Sequence, residues 1–212
     1  MKQTIKHPIK HPIGWMAIAA FSMVISISAS ITLATSDAWW SIALSRLSIE
    51  PWGFVFSAGF VISAVSLAVA LHLQLELVSV RWKSDPWRLN GLHGLLLALC
   101  GGLMLIGLFP DGEPWLGWHR LGGWISISTA SLISLGVNTW LPVYPRLFKR
   151  FSLLIGIMPY GALIAYLFKF IPFTMLELFL LFLGAIWMTV FYAYTRVYTG
   201  QASPEILEEG GD

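Results

Sequence analysis

Residues 91–109 read GLHGLLLALCGGLMLIGLF, a run of 19 positions without Asp, Glu, Lys or Arg. About 20 consecutive apolar residues are enough for one helix to cross the hydrocarbon layer of a bilayer. Five further stretches of similar character flank this run, and none alternates with the period of two that a strand would show. The sequence therefore predicts six spans, at about residues 13–35, 51–78, 91–109, 119–141, 151–171 and 173–194.

The composition argues against the other broad classes of protein. Charged residues make up 11% and hydrophobic residues 57% of the 212 positions, and the mean hydropathy is +0.73. Soluble domains carry roughly 25% charged residues, and disordered chains combine low hydrophobicity with high net charge. A single cysteine rules out a disulfide framework and a thiolate-rich metal site. The predicted fold is all-α, a polytopic membrane protein built as a six-transmembrane-helix bundle.

The Lys and Arg residues fall mainly on one side of the predicted spans. Ten of the 13 lie in the N-terminal segment, the second and fourth loops and the tail, whereas Arg46, Arg120 and Lys169 lie on the other side. Cytoplasmic loops are enriched in Lys and Arg, so both termini are predicted to be cytoplasmic, in a bacterial inner membrane. This charge pattern fits a lipid bilayer as the partner and gives no reason to expect nucleic acid.

The chain divides into three predicted parts. The first span is longer than the 7–15 apolar residues of a signal peptide, so it is expected to stay as a helix. In the N-terminal part His7 and His11 stand four apart, but each precedes a proline, which disfavours the helix that would align them. The parts are a basic cytoplasmic arm (1–12), the transmembrane domain (13–196) and an acidic cytoplasmic tail (197–212).

Ionisable residues are concentrated in the third loop and at the start of the fourth span, in a group formed by Asp111, Glu113, His119 and Arg120. Carboxylates and an imidazole close together can bind a divalent cation or transfer protons. They are therefore an outer-mouth candidate site, and a metal-assisted hydrolase is one interpretation. In the other interpretation His119 anchors the fourth helix and the acids face water. We assign no metal, because the loop alone does not provide three or four ligands of fixed geometry.

A second candidate site, at the inner face, contains His72, Glu76, Asn90 and His93. His72 and Glu76 are four residues apart and so share a helix face. His72 and His93 are predicted to lie at similar depth on consecutive helices, as the axial pair of a b-type haem would. Ionisable residues in a membrane suggest function, although near helix ends their side chains reach the interface cheaply. A structural hydrogen-bond cluster, a haem site and another ligand site are the three interpretations.

Small residues predict where helices approach each other closely, since helices in lipid associate through short side chains. On the second span these are Gly59, Ser63, Ser66 and Ala70, and on the fourth they are Gly123, Ser126, Ala130 and Ser134. Near the break at Pro172, Lys169 and Glu177 are predicted to form an interfacial ion pair.

Two segments resemble a known family. The first runs Ser45-Arg-Leu-Ser-Ile-Glu50-Pro-Trp-Gly-Phe-Val-Phe-Ser57, and the second Gly101-Gly-Leu-Met-Leu-Ile-Gly107-Leu-Phe-Pro110, followed by His119. Over about residues 40–140 this pattern is similar to the uncharacterised bacterial membrane family called domain of unknown function 998, with Ser57 where that family often has Asn. The resemblance implies a six-helix bundle and implies no activity.

The predicted function follows from the lack of a complete catalytic set in the spans. We expect a non-enzymatic binding or accessory component for lipid or for a partner membrane protein. Whether the protein is an enzyme is left open, and no cofactor is assigned. The alternatives are the metal-assisted hydrolase using Asp111, Glu113 and His119, and the haem redox protein using His72 and His93.

Overall fold

The computed structural model describes residues 12–35, 38–41, 43–81, 86–141 and 144–198. Most of the predicted basic arm, with His7 and His11, and nearly all of the acidic tail lie outside the described residues. Within the described ranges the chain forms α-helices and one 3₁₀ helix, without a strand. The α-helices are α1 (Pro12–Leu33), α2 (Ala38–Ser41), α3 (Gly53–Arg81), α4 (Pro86–Leu108), α5 (Leu116–Leu135), α6 (Val137–Trp140), α7 (Arg146–Leu167) and α8 (Phe173–Tyr198), and the 3₁₀ helix is Leu44–Ile49.

Each of the six predicted spans coincides with a long helix. Five of these helices, α1, α3, α4, α7 and α8, are long and apolar enough to cross a membrane. Their number indicates a multi-pass membrane protein. The helices stop where the sequence predicts, because α4 ends just before Pro110 and α8 begins just after Pro172.

The sixth long helix, α5, is more polar than the other five. It begins with His119 and Arg120 in its first turns, and it carries five Ser or Thr residues between positions 126 and 134. This composition explains why the described residues contain five strongly apolar helices and not six. Gly136 separates α5 from the one-turn helix α6, which continues in sequence to Trp140.

The polar residues of α5 are used in packing against α4. A Cβ added to Gly102 would lie 2.4 Å from Ser126 Oγ and 2.7 Å from the Gly122 carbonyl oxygen. The prediction that small residues of this helix form a packing face is therefore confirmed for Ser126, but the glycine predicted for that face, Gly123, is the wrong one. Gly122 lies at the contact, whereas Gly123 has open space around it.

The small residues predicted on α3 do form a packing face, against α1. A Cβ at Gly59 would overlap the side chain of Ser26. Ser63 Oγ lies 2.7 Å from Ser22 Oγ and donates a hydrogen bond of 2.8 Å to the Ala19 carbonyl. Hydroxyl groups therefore connect the two helices where the backbones come closest.

The connection between α1 and α3 differs from the predicted polar loop. Its 3₁₀ helix places Leu44 and Leu47 in the core, at 1% and 0% exposure, in a cluster with Phe56 and Phe60. Side chains three residues apart lie on the same side of a 3₁₀ helix, so both leucines can turn inward together. This segment belongs to the interior of the bundle.

The bundle has two polar ends separated by apolar packing. We call them the Asp111 end, where α4 turns into α5, and the His72 end, where α3 is followed by α4. Between them the main core holds stacked aromatic rings, including Trp187 and Phe191 at 5.0 Å between centroids. The Trp187 indole N–H donates a 2.8 Å hydrogen bond to the buried Ser152 hydroxyl.

Candidate functional sites

At the Asp111 end, Asp111 is 9% exposed and does not face water as one interpretation of the sequence expected. Its carboxylate accepts a 3.0 Å hydrogen bond from Ser45 Oγ and lies 3.7 Å from Arg46 Nε. Its backbone N–H donates to Ser48 Oγ at 2.9 Å. All three partners lie on the 3₁₀ helix, so Asp111 fixes this helix to the α4–α5 turn.

Glu177, on α8, approaches the same 3₁₀ helix from another direction. Its carboxylate accepts a hydrogen bond from the Leu44 backbone N–H, interacts with Ser45 and lies near Asp111. The first N–H groups of a helix have no partner inside it, which explains why a carboxylate binds there. The predicted ion pair with Lys169 is wrong. Lys169 lies two residues after the end of α7, with φ of 61°, and is exposed.

The other three residues of the outer-mouth group have separate environments. His119 is buried, and its Nδ1 lies 2.7 Å from the Phe109 carbonyl oxygen. Since a carbonyl can only accept, Nδ1 carries the proton of this bond. The histidine thus anchors the start of α5 to the end of α4, as one interpretation predicted. Glu113 and Arg120 are exposed.

These contacts do not produce a metal-ligand set. Among the residues that the structure describes, no group of three or more His, Cys, Asp and Glu side chains is placed to hold a metal ion. Asp111 lies in the α4–α5 turn and His119 at the start of α5, and each is bound to a protein partner. The contacts at this end hold four segments of the chain together: the 3₁₀ helix, the α4–α5 turn, the start of α5 and α8.

At the His72 end the predicted group is largely brought together. The rings of His72 and His93 lie 5.4 Å apart between centroids, at an angle of 31°. His72 Nε2 lies 3.3 Å from Glu76 Oε1, and these side chains are 52% and 62% exposed. Asn90 is also exposed. The cluster therefore lies on the flank of the bundle, open to ligands from its surroundings.

Next to this cluster is a groove that the sequence analysis did not identify. It has a volume of about 260 Å³ and is bounded by one face of α3 and one face of α4. Its walls are apolar throughout, and a Cβ at Gly101 would meet no atom within 4 Å. The lining residues are Ala64, Val65, Ala68, Val69, Leu97, Cys100, Gly101 and Met104.

The groove and the histidine pair belong to one continuous surface. On α3 the groove residues Ala68 and Val69 precede His72 by four and three positions, which places them on the same helix face. On α4 Leu97 follows His93 by four positions. The rings of the two histidines, 5.4 Å apart between centroids, therefore lie about one helical turn beyond the groove residues on both helices.

A buried polar cluster, also missed from the sequence, lies behind this surface. Gln74 is 1% exposed, and its Nε2 donates a 2.9 Å hydrogen bond to Thr195 Oγ1. The Tyr144 hydroxyl lies 2.7 Å from the same oxygen, and Gln74 Oε1 has no hydrogen-bond partner among the residues that the structure describes. A glutamine within an apolar run was the only available signal. The cluster connects α3, α8 and the segment before α7.

Comparison of the chain with protein-family models, with curated proteins and with solved structures gives no match. The resemblance to the six-helix family therefore stays a prediction, and the function has to be inferred from the sites themselves.

Proposed function

We propose that this chain is a six-span protein of a bacterial inner membrane, with both termini cytoplasmic, and that it binds a membrane lipid in the groove between α3 and α4. It acts as a non-enzymatic binding or accessory component. The observation that carries the proposal is the apolar groove of about 260 Å³ with open space over Gly101.

The close packing of α5 supports the count of six. Its Gly122 and Ser126 approach the α4 backbone at Gly102, and side-by-side packing of this kind is how small residues join membrane helices. Four of the five hydroxyl residues between positions 126 and 134 turn inward, since Ser126, Thr129, Ser131 and Ser134 are buried whereas Ser128 is exposed. A helix packed in this way tolerates hydroxyl groups at membrane depth. The excess of Lys and Arg in alternate loops supports cytoplasmic termini.

The physics of the bilayer favours a lipid chain as the ligand. An acyl chain gains little from the hydrophobic effect when it leaves other lipid tails, so its affinity depends on close van der Waals contact. A concave surface lined by Ala68 and Gly101 lets a chain contact both helices at once. Among the described residues, the side chains that line the groove carry no charged, amide or hydroxyl group, so they offer little that a polar substrate would bind.

A second candidate, a b-type haem protein, is supported by one observation, the proximity of His72 and His93. At 5.4 Å the rings contact each other, so they would have to separate to place a macrocycle between them. The absorption spectrum of the purified protein tests this candidate. A Soret band that is lost in the His93→Ala variant would support it, and a spectrum without such a band would remove it.

The experiment on the groove is a matched pair of glycine substitutions. Gly101→Leu fills the groove, and Gly184→Leu places the same side chain at a lipid-exposed position of α8 that is equally free of neighbours. Native mass spectrometry counts the phospholipids that stay bound to the protein after purification in mild detergent. We expect Gly101→Leu to reduce the retained lipid at least threefold and Gly184→Leu to leave it unchanged. Equal retention in both variants would overturn the proposal.

A further inference from the structure

We infer that the His72 end of the groove is a head-group site for a phospholipid with a primary amine, of the ethanolamine type. This inference rests on the proposed lipid-binding function and specifies its ligand. The site is formed by four side chains, His72, Glu76, Asn90 and His93.

The groove is aligned with the four side chains. On α3, Val65, Val69, His72 and Glu76 follow each other at intervals of four, three and four residues, so they form one stripe along the helix. A lipid whose chain lies beside Val65 and Val69 therefore meets the imidazole and the carboxylate at the end of its path.

The facing stripe on α4 is open in the same region. Gly101 and Gly94 are seven residues apart, which returns to the same helix face after two turns. A Cβ at either glycine would meet no atom within 4 Å. His93 is adjacent to Gly94, and Asn90 lies four residues before Gly94. The space over the two glycines lets a chain pass and leaves the polar side chains at its end.

The depth of the cluster suits a head group. His93 lies 15 residues along α4 from Leu108, which is about 22 Å at 1.5 Å per residue. The hydrocarbon layer is about 30 Å thick. With Leu108 at one boundary, the backbone of His93 lies about 8 Å inside the opposite boundary, and its side chain can extend toward the interface, as histidine side chains near helix ends do.

The chemistry of the cluster selects a dipolar head group. An imidazole N–H donates to phosphate oxygens, and His93, whose ring lies 5.4 Å from that of His72, can supply one such donor. His72 Nε2 lies 3.3 Å from Glu76 Oε1 and has to turn away from this carboxylate to donate to the same phosphate. Glu76 is 62% exposed, so its carboxylate can accept hydrogen bonds from a nearby ammonium group. Ethanolamine carries that ammonium two carbons from the phosphate.

Other common head groups lack either the N–H donor or the positive charge that Glu76 would bind. The quaternary ammonium of choline has no N–H to donate to Glu76. Glycerol has no positive charge, and an anionic lipid would place its net charge beside that carboxylate. The position of an acid next to two donors therefore favours the primary amine over both.

The test uses the full chain in mixed micelles that contain equal amounts of palmitoyl-oleoyl phosphatidylethanolamine, phosphatidylcholine and phosphatidylglycerol. Native mass spectrometry measures which lipid remains bound. We expect the ethanolamine lipid to exceed each of the other two by about fivefold. Glu76→Gln should reduce this preference to less than twofold while the total bound lipid persists, because the groove is intact.

Two further variants complete the design. His72→Ala combined with His93→Ala should reduce retention of all three lipids, since the phosphate is common to them. Glu113→Gln, an exposed carboxylate at the opposite end of the bundle, serves as the control and should change nothing. Circular dichroism and a monodisperse elution profile confirm that each variant is folded.

The outcomes separate this inference from the proposed function. If the three lipids are retained equally, or the glycerol lipid is preferred, while Gly101→Leu still reduces retention, the head-group assignment is overturned and the lipid groove remains. If Gly101→Leu has no effect on retention, the proposed function fails, and the inference fails with it.

Discussion

Ser45 donates a 3.0 Å hydrogen bond to the carboxylate of Asp111, a residue 66 positions away in the chain. This bond joins the 3₁₀ helix before α3 to the turn after α4. Arg46 reinforces it from 3.7 Å. The contact shows that the acid of the third loop has a structural role, because its acceptor oxygens are directed at the bundle and not at solvent.

The first prediction concerns this bond. Asp111→Ala removes the acceptor and leaves buried donors without a partner, so we expect the free energy of unfolding to fall by about 1–3 kcal/mol. Reversible unfolding in mixed micelles measures the change. Glu113→Ala, two residues away and exposed, is the control and should stay within about 0.5 kcal/mol of the parent. Similar losses in the two variants would contradict the assigned role.

The second prediction concerns the cluster of Gln74, Tyr144 and Thr195. Thr195→Val removes the hydroxyl that both partners bind, and we expect a loss of about 1–3 kcal/mol in unfolding free energy. Gln74→Met removes the bonded Nε2 together with an Oε1 that has no partner, so its loss should be smaller, below about 1 kcal/mol. A larger loss for Gln74→Met than for Thr195→Val would show that Oε1 has a binding partner.

The third prediction compares two glycines of the α4–α5 pair. At Gly102 a methyl group would lie 2.4 Å from Ser126 Oγ, whereas at Gly123 it would meet nothing within 4 Å. We expect Gly102→Ala to destabilise the protein by about 1–3 kcal/mol through overpacking. Gly123→Ala should be close to neutral in the same unfolding assay. Equal losses of stability in the two variants would mean that α4 and α5 do not pack closely at Gly102.

The fourth prediction tests whether α5 crosses the membrane. Single cysteines replace Glu113 before α5 and Arg146 after it, in a Cys100→Ala background. Six spans with cytoplasmic termini require Glu113→Cys to react with an impermeant maleimide in intact cells and Arg146→Cys to react only after permeabilisation. Labelling of both from the same side would leave five spans and place the two termini on opposite sides.

Much of the helical framework was predictable because it depends on local pattern. Uninterrupted apolar runs produced the long helices, and prolines 110 and 172 marked where they break. The proximity of His72 and His93 was predictable too, since a short connection between two antiparallel helices fixes which positions lie opposite each other. The small residues on α3 identified the contact with α1 for a similar reason.

The remaining features depend on contacts between distant segments. Glu177 was expected to pair with the nearby Lys169, but it binds the Leu44 N–H, 133 residues away. A helix terminus without internal partners attracts an acceptor from anywhere in the fold, and sequence proximity gives no indication of it. The groove was missed because one face of α3 and one face of α4 form it together, and the pattern of either helix alone does not indicate it.

The groove opens on the flank of the bundle, where Val65, Leu97 and Gly101 are exposed. A lipid that binds here as proposed would arrive by lateral diffusion in one leaflet and would not pass through the aqueous phase. Occupancy is then governed by the mole fraction of that lipid among its neighbours and not by its concentration in bulk. A cell that changes its lipid composition would therefore change the occupancy of the groove directly, without releasing any soluble messenger.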